Sequence, residues 1–260
     1  MRYLILSDIH SNWEALQAVL EHARGRYDQI LCCGDLVGYG ADPNPVTEWV
    51  RENIPTVVRG NHDKACSGIE SFEDYNPAAK ISTVWTRQSL SPTNLDYLRA
   101  LPQGPMAVAN FDIAHGSPDG EDDYLLNIMD ALNARQAMQS NVCFIGHTHV
   151  QGGFRIRTRA SDSPGDGGAA QREAVQVIQK VPVTHGHGTL DIEDGWHYLI
   201  NPGSVGQPRD RDPRAAYVVY TTETRRVVYF RVPYDLELAQ AKIQQADLPP
   251  MLAARLATGT

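Results

Sequence analysis

The sequence predicts an α/β protein, with strands and helices alternating in its first half and a second half rich in strands. Three observations carry that expectation. Short apolar runs at Tyr3–Ser7, Gln29–Cys33 and Thr56–Arg59 each end in a turn, as buried strands do. Amphipathic stretches separate them, which implies parallel pairing through right-handed crossovers. After His149 the pattern changes to short strands and turns.

Each element has a local reason. The first helix, Asn12–Arg24, puts Trp13, Leu16, Leu20 and Ala23 on one face at spacings of three, four and three. Ser11 and Glu14 have the S-x-x-E spacing of a capping box, and Gly25 supplies a stop. Pro45–Asn53 reads as a second helix. From Pro77 to Leu101 the chain reads as helical, with Ser91-Pro92 starting a new helix. Strand returns at Ala107–Ala114, interrupted at Asn110-Phe111, and at Val142–Gly146, with a helix near Asp130–Gln139 between them. Arg159–Arg172 is small, polar and glycine-rich, and reads as a mobile loop or hairpin tip. Ala216–Thr221 and Arg226–Val232 form a terminal hairpin, followed by closing helices at Leu236–Gln245 and Met251–Ala257. No repeat or clean linker divides the 260 residues, so a single domain over 1–260 is expected.

Composition narrows the functional classes. With 31 acidic and 23 basic residues the formal charge is −8, so no basic excess exists to hold nucleic acid by charge. A hydrophobic share of 42% excludes disorder over most of the length. Apolar runs such as Ala215–Tyr220 fall far short of the roughly 20 residues a bilayer needs, and the N-terminus does not read as a signal peptide. The four cysteines include one adjacent pair and no C-x-x-C. They read as reduced, buried thiols of a cytoplasmic protein.

Polar residues gather where the apolar runs stop. The first strand runs into Ser7-Asp8-Ile9-His10, the second into Gly34-Asp35, and the third into Gly60-Asn61-His62-Asp63. Further on, Ile113-Ala114 leads to His115-Gly116, and Phe144-Ile145 to Gly146-His147-Thr148-His149. Five such placements at one end of a sheet point to a site, because Asp, Asn and His are poor strand formers. Alternate residues of an extended segment point the same way, so Asp8 with His10, and His147 with His149, each present two ligands. Oxygen and nitrogen donors without sulfur suit Mn²⁺, Fe or Zn²⁺. Asp8, His10, Asp35, Asn61, His115, His147 and His149 are too many for one ion and suit two divalent ions sharing a carboxylate.

These residues resemble the calcineurin-like metallophosphoesterase family, whose pattern runs D-x-H, G-D, G-N-H-D/E, H and G-H-x-H in that order. The motifs span roughly the first 150 residues, and no metal position departs from the pattern. Asn201-Pro202-Gly203-Ser204-Val205-Gly206 extends the likeness to the small bacterial and archaeal phosphodiesterase-like branch. The resemblance implies a four-layer α/β/β/α sandwich of two packed, mostly mixed sheets. It implies that Asp8, His10 and His149 hold one ion, that Asn61, His115 and His147 hold the other, and that Asp35 bridges them. A hydroxide between two such ions attacks phosphorus in line, which makes the expected activity hydrolysis of phosphodiesters, with monoesters as further substrates. His62 is similar to the family's non-ligand histidine, which protonates the leaving group. Asp63 either orients His62 or caps the helix that follows.

Substrate contacts are expected from Asn61, from Asn12, which reads equally as an N-cap, and from Arg209, whose charged run otherwise reads as solvated surface. The expected partner is a small phosphoester. Rival readings are hydrolysis of dinucleoside polyphosphates or cyclic nucleotides, and a non-catalytic metal-binding scaffold of the same fold. Polyphosphate branches resemble G-D-x-V-x-R-G, whereas this chain has Gly34-Asp35-Leu36-Val37-Gly38-Tyr39-Gly40. The scaffolds lack a histidine at the His62 position, which is present here. Of the other histidines, His22 reads as surface, His185 and His187 as loop residues, and His197 as structural. Tyr217 and Tyr220 read as packing. Loops Gly38–Pro45, Ser67–Asn76 and Gly116–Tyr124 are expected to wall the pocket.

Overall fold

Leu4 and Leu6 face one way from the first strand and Tyr3 and Ile5 the other, and all four are buried. A strand apolar on both faces has to be covered on both, which sets the layering. The computed structural model describes residues 1–159, 172–178 and 187–260. In chain order the elements are β1 (Arg2–Leu6), α1 (Trp13–Ala23), β2 (Gln29–Cys32), α2 (Pro43–Asn53), β3 (Thr56–Val57), α3 (Asn61–Ser67), α4 (Pro77–Ser89) and α5 (Pro92–Ala100). Then follow β4 (Met106–Ala107), β5 (Asp112–Ile113), α6 (Ile128–Arg135), β6 (Val142–Phe144), β7 (Gly152–Arg159) and β8 (Arg172–Ile178). The chain closes with β9 (His187–Asp191), β10 (His197–Asn201), β11 (Ala215–Thr221), β12 (Arg226–Val232), α7 (Leu236–Gln245) and α8 (Pro250–Thr258).

Two six-stranded sheets result, ordered β3-β2-β1-β11-β12-β9 and β4-β5-β6-β10-β7-β8. Both are mixed. In the first, β1, β2 and β3 run parallel and β11 joins β1 antiparallel. In the second, β5, β6 and β10 run parallel while β4 and β7 flank them antiparallel. Tyr3, Ile5, Leu31, Val218 and Tyr220 meet Phe111, Phe144, Tyr198 and Ile200 in an apolar layer between the sheets. Leu4 and Leu6 pack with Leu16 and Val19 of α1 in a second layer. Ala131 and Ala134 of α6 pack with Cys143, Phe154 and Leu199 in a third. Helix, sheet, sheet, helix is the four-layer α/β/β/α order. Full burial of each large aliphatic side chain contributes roughly 1.5–3 kcal/mol.

Boundaries shift where tertiary contacts decide. The expected capping box of Ser11 and Glu14 does not form. Ser11 sits at φ 51°, outside the extended geometry an N-cap needs, and Asn12 caps α1 instead through Oδ1, 3.1 Å from Ala15 N. Glu14 turns away to Lys242. α6 begins and ends earlier than expected, because Asn127 and Asp130 build a reciprocal cap. His22 is exposed on α1, as expected, and its Nδ1 also lies 2.8 Å from the Tyr217 hydroxyl. Tyr217 and Tyr220 are core residues. All four cysteines are buried and free. Most of the 159–172 loop and His185 lie outside the described residues. Among the described residues no helix is long and apolar enough to cross a membrane.

Candidate metal centre

The carboxyl ends of β1, β2, β5 and β6 meet at one edge of the two sheets, and hydrogen bonds extend the ladders into the turns that follow. Asp8 N donates to Gly34 O at 3.0 Å and His10 N to Asp35 O at 3.1 Å. Gly146 N donates to His115 O at 2.7 Å. Five of the candidate ligands hold left-handed backbone: Asp8 (φ 54°), His10 (50°), Asp35 (54°), His147 (66°) and His149 (59°). Each such residue costs on the order of 1–3 kcal/mol and persists because its surroundings over-determine it. Close approach forces glycine at two points. A Cβ on Gly60 would strike the Asp35 carboxylate, and one on Gly206 would strike the Ile9 carbonyl.

Backbone carbonyls orient three of the imidazoles. Nδ1 of His10 lies 2.9 Å from Val37 O, that of His115 2.8 Å from Cys33 O, and that of His149 2.6 Å from Gln207 O. A carbonyl oxygen only accepts, so each Nδ1 carries a hydrogen and each Nε2 is turned inward, free as a lone pair in His10 and His149. Those nitrogens converge. His10 Nε2 is 3.1 Å from His149 Nε2 and 3.5 Å from Asp35 Oδ2, and His149 Nε2 is 3.3 Å from Asp8 Oδ1. On the other side of Asp35, His115 Nε2 lies 3.4 Å from Oδ2 and 3.1 Å from Asn61 Oδ1. Tyr75 fixes the Asn61 amide by accepting from Nδ2 at 2.6 Å, which turns Oδ1 toward His115.

Two buried groups thus have donor atoms within 4.8 Å of one another: Asp8, His10, Asp35 and His149, and Asp35, His115 and His147. Asp35 belongs to both. Asp35 Oδ2 and His147 Nε2 are buried without hydrogen-bond partners. Such a convergence of lone pairs and carboxylates, with no sulfur donor, fits divalent cations of the Mn²⁺, Fe or Zn²⁺ kind.

Electrostatics follow from the same packing. Burial pushes His10 and His149 well below the ordinary imidazole value, and takes His147 to about 3. Burial opposes charge on His115 too, but the Asp35 carboxylate outweighs it and lifts His115 to about 10. Asp35 is held well below the usual carboxylate range, since His115 and His62 more than offset its burial. Asp8 rises to about 7, chiefly because it is buried.

Asp63, at the third position of α3, closes a cap onto the backbone N–H of Gly60 and makes no hydrogen bond to the His62 ring. Its carboxylate accepts from Gly60 N, Asp35 N and Leu36 N at 2.9 Å, and from Val37 N at 3.3 Å. It thereby pins the Asp35 turn. His62 donates its own N–H to Asp35 Oδ1 at 2.8 Å, and its ring Nδ1 is buried with no partner. Burial takes this imidazole down to about 4.

Of the expected substrate contacts, Asn61 lies at the centre. Asn12 is spent elsewhere, on its cap and on a 2.9 Å bond from Nδ2 to Gly206 O. Arg209 reaches inward from the loop after Gly206. Its guanidinium lies 5.6 Å from the Tyr39 ring centre, and Nη2 donates to Gln207 Oε1 at 2.9 Å. Behind it, Arg231 and Asp210 form a buried ion pair, and Gln151 accepts from Arg231 Nε at 3.1 Å. The Asn201–Gly206 turn braces the centre from below. Ser204 Oγ donates to Asp8 O at 2.7 Å, and Asn201 Nδ2 to Gly146 O at 2.7 Å.

Three tyrosines that sequence reasoning missed complete the site. Tyr39 and Tyr75 flank His62, with ring centres at 4.4 and 5.1 Å, and Tyr124 stacks on His147 at 3.8 Å. They come from the three loops expected to wall a pocket. No periodicity marks an aromatic in a loop, so only the loops were legible.

Comparison with known proteins agrees with this geometry. Residues 1–225 match the family model of the calcineurin-like phosphoesterase superfamily domain. The uncharacterized protein MJ0912 of Methanocaldococcus jannaschii is 32% identical over 263 residues, spanning 98% of this chain and 97% of that protein. A metallophosphoesterase crystal structure from Sphaerobacter thermophilus is 38% identical, with a TM-score of 0.81 over 100% of this chain and 99% of that one. The hypothetical protein PH1004 from Pyrococcus horikoshii shares the fold at 18% identity, with a TM-score of 0.71 over 100% of this chain and 98% of that one.

Proposed function

The chain belongs to the calcineurin-like phosphoesterase superfamily, and from that premise we propose that it hydrolyses phosphodiesters with two divalent cations bound around Asp35. The sharing of Asp35 by two buried ligand groups carries this reading. Asp8, His10 and His149 would hold one ion, and Asn61, His115 and His147 the other. Ions in such a pair supply charge for the free phosphoryl oxygens and lower the pKa of bound water.

The chain's own residues do the rest. Asn61 and Arg209 orient the phosphoryl group, the guanidinium offering a planar pair of donors to its oxygens. His62, neutral in the buried site without an anion, hands a proton to the departing ester oxygen once the bound phosphoryl anion supports its imidazolium form, a contribution of typically 10²–10⁴-fold. Tyr39 and Tyr75 hold its ring from either side.

The test is hydrolysis of bis-p-nitrophenyl phosphate by chelator-stripped protein, before and after adding Mn²⁺, beside the p-nitrophenyl monoester. Metal-dependent turnover with the diester favoured is the expected result. Bound metal without turnover of either ester would refute it.

A further inference from the structure

The turn Gly38-Tyr39-Gly40 is pressed against the centre. Tyr39 is buried and holds left-handed backbone, φ 60°, which bulky residues rarely adopt. A Cβ on Gly38 would strike the His62 ring, and one on Gly40 the His10 carbonyl. The Tyr39 ring is thereby set beside both imidazoles, its centre 4.7 Å from that of His10 and 4.4 Å from that of His62. Tyr124 arrives from the other sheet, in the connection between β5 and α6, and stacks on His147 with ring planes inclined by 28°.

Packing of this kind needs only the rings, yet both residues carry a hydroxyl, and both hydroxyls accept from the Arg209 guanidinium. Gln207 Oε1 accepts from Nη2 of the same group at 2.9 Å. All three acceptors are neutral, since burial raises both phenols above their ordinary value. A carboxylate would orient the arginine equally well but would compete with a phosphoryl group for it. Here the charge is oriented without being cancelled, and Nε is buried with no hydrogen-bond partner. The backbone beneath is fixed too, by the bond from Arg209 N to His149 O at 3.2 Å and by the buried pair of Asp210 with Arg231. The G-D-x-V-x-R-G pattern has arginine where this turn has Tyr39, and residue 209 brings a guanidinium to that ring from a distant loop.

We infer that Tyr39 and Tyr124 are positioning residues for Arg209, their hydroxyls holding its guanidinium ready for one phosphoryl group while their rings fix its place relative to His62 and His147. The inference rests on reading Arg209 as a phosphate contact and goes beyond it in naming what sets its orientation. An arginine already ordered binds its anion without the cost of being ordered.

The test measures binding of inorganic phosphate to the Mn²⁺-loaded protein by calorimetry, beside hydrolysis of bis-p-nitrophenyl phosphate. The variants are Tyr39→Phe, Tyr124→Phe, Arg209→Ala, and each tyrosine change combined with Arg209→Ala. Phenylalanine keeps both rings against their histidines, so metal content should match the wild type. Each lost hydroxyl should weaken phosphate binding, and raise KM for the diester, by about tenfold. Neither should weaken binding further once residue 209 is alanine. Equal losses with and without Arg209, or unchanged phosphate affinity in both phenylalanine variants, would overturn the inference. So would a wild type that does not bind phosphate, or Arg209→Ala binding it unchanged. Tyrosine effects that depend on Arg209, without any turnover of the diester, would leave the inference standing and remove the phosphodiesterase reading.

Discussion

His10 and His149 turn their Nε2 atoms toward each other at 3.1 Å, and neither has a hydrogen to offer, because both Nδ1–H groups are bound to carbonyl oxygens. Two lone pairs facing at that distance repel unless a cation lies between them. Chelation should therefore destabilise the fold, and Mn²⁺ should restore it. At an ion concentration of 100 times Kd the gain is about 2.7 kcal/mol per site. Thermal unfolding with and without chelator measures it, and an unchanged midpoint would count against metal binding here.

Asp35 is the carboxylate common to both ligand groups. Asp35→Asn keeps the shape and the bond from His62 N but removes the charge, so metal content and activity should fall together. Elemental analysis of the purified variant decides the point. A full complement of metal would refute the bridging assignment.

His62 touches neither of the two ligand groups as a member. His62→Ala should retain its metal and lose rate by roughly 10²–10⁴ for alkyl leaving groups, and far less for p-nitrophenolate, which departs without a proton. Loss of metal in this variant would make His62 a ligand.

Glu121 ties two segments together by accepting from Arg59 Nε at 3.0 Å and from Lys64 Nζ at 2.9 Å. Burial raises its carboxyl, but these two bonds outweigh that and hold it below the usual value. A depressed folded-state pKa means stability that is present above the unfolded value of about 4.3 and lost as pH falls through the folded one. Urea midpoints should therefore drop more steeply from pH 6 to pH 3.5 in the wild type than in Glu121→Gln. Parallel slopes would show that the cluster contributes nothing.

Much of the fold was legible because β1, β2 and β6 are buried on both faces and read as continuous apolar runs bounded by turns. The ligand set was legible for a related reason: each ligand interrupts such a run at its carboxyl end. Other features depend on partners distant in sequence. Ser11 had the right spacing for a cap, yet the turn beside Leu36 holds it in left-handed backbone and Asn12 caps in its place. Asp63 left two roles open on spacing, and only the four backbone N–H groups converging on it decided for the cap. Tyr75 and Tyr124 carried no local signal, since their roles depend on how two loops meet.

The strand order has a consequence for how the protein is made. β1 lies between β2 and β11, so the strand that delivers Asp8 waits for its second neighbour until residues 215–221 have emerged from the ribosome. The brace from Ser204 to the Asp8 carbonyl arrives equally late. A nascent chain that ends at His149 thus owns every candidate ligand of the centre and lacks the parts that close it. Contacts of such long range form slowly, so the sheet edge that carries the candidate ligands is completed only after the carboxyl-terminal hairpin has docked.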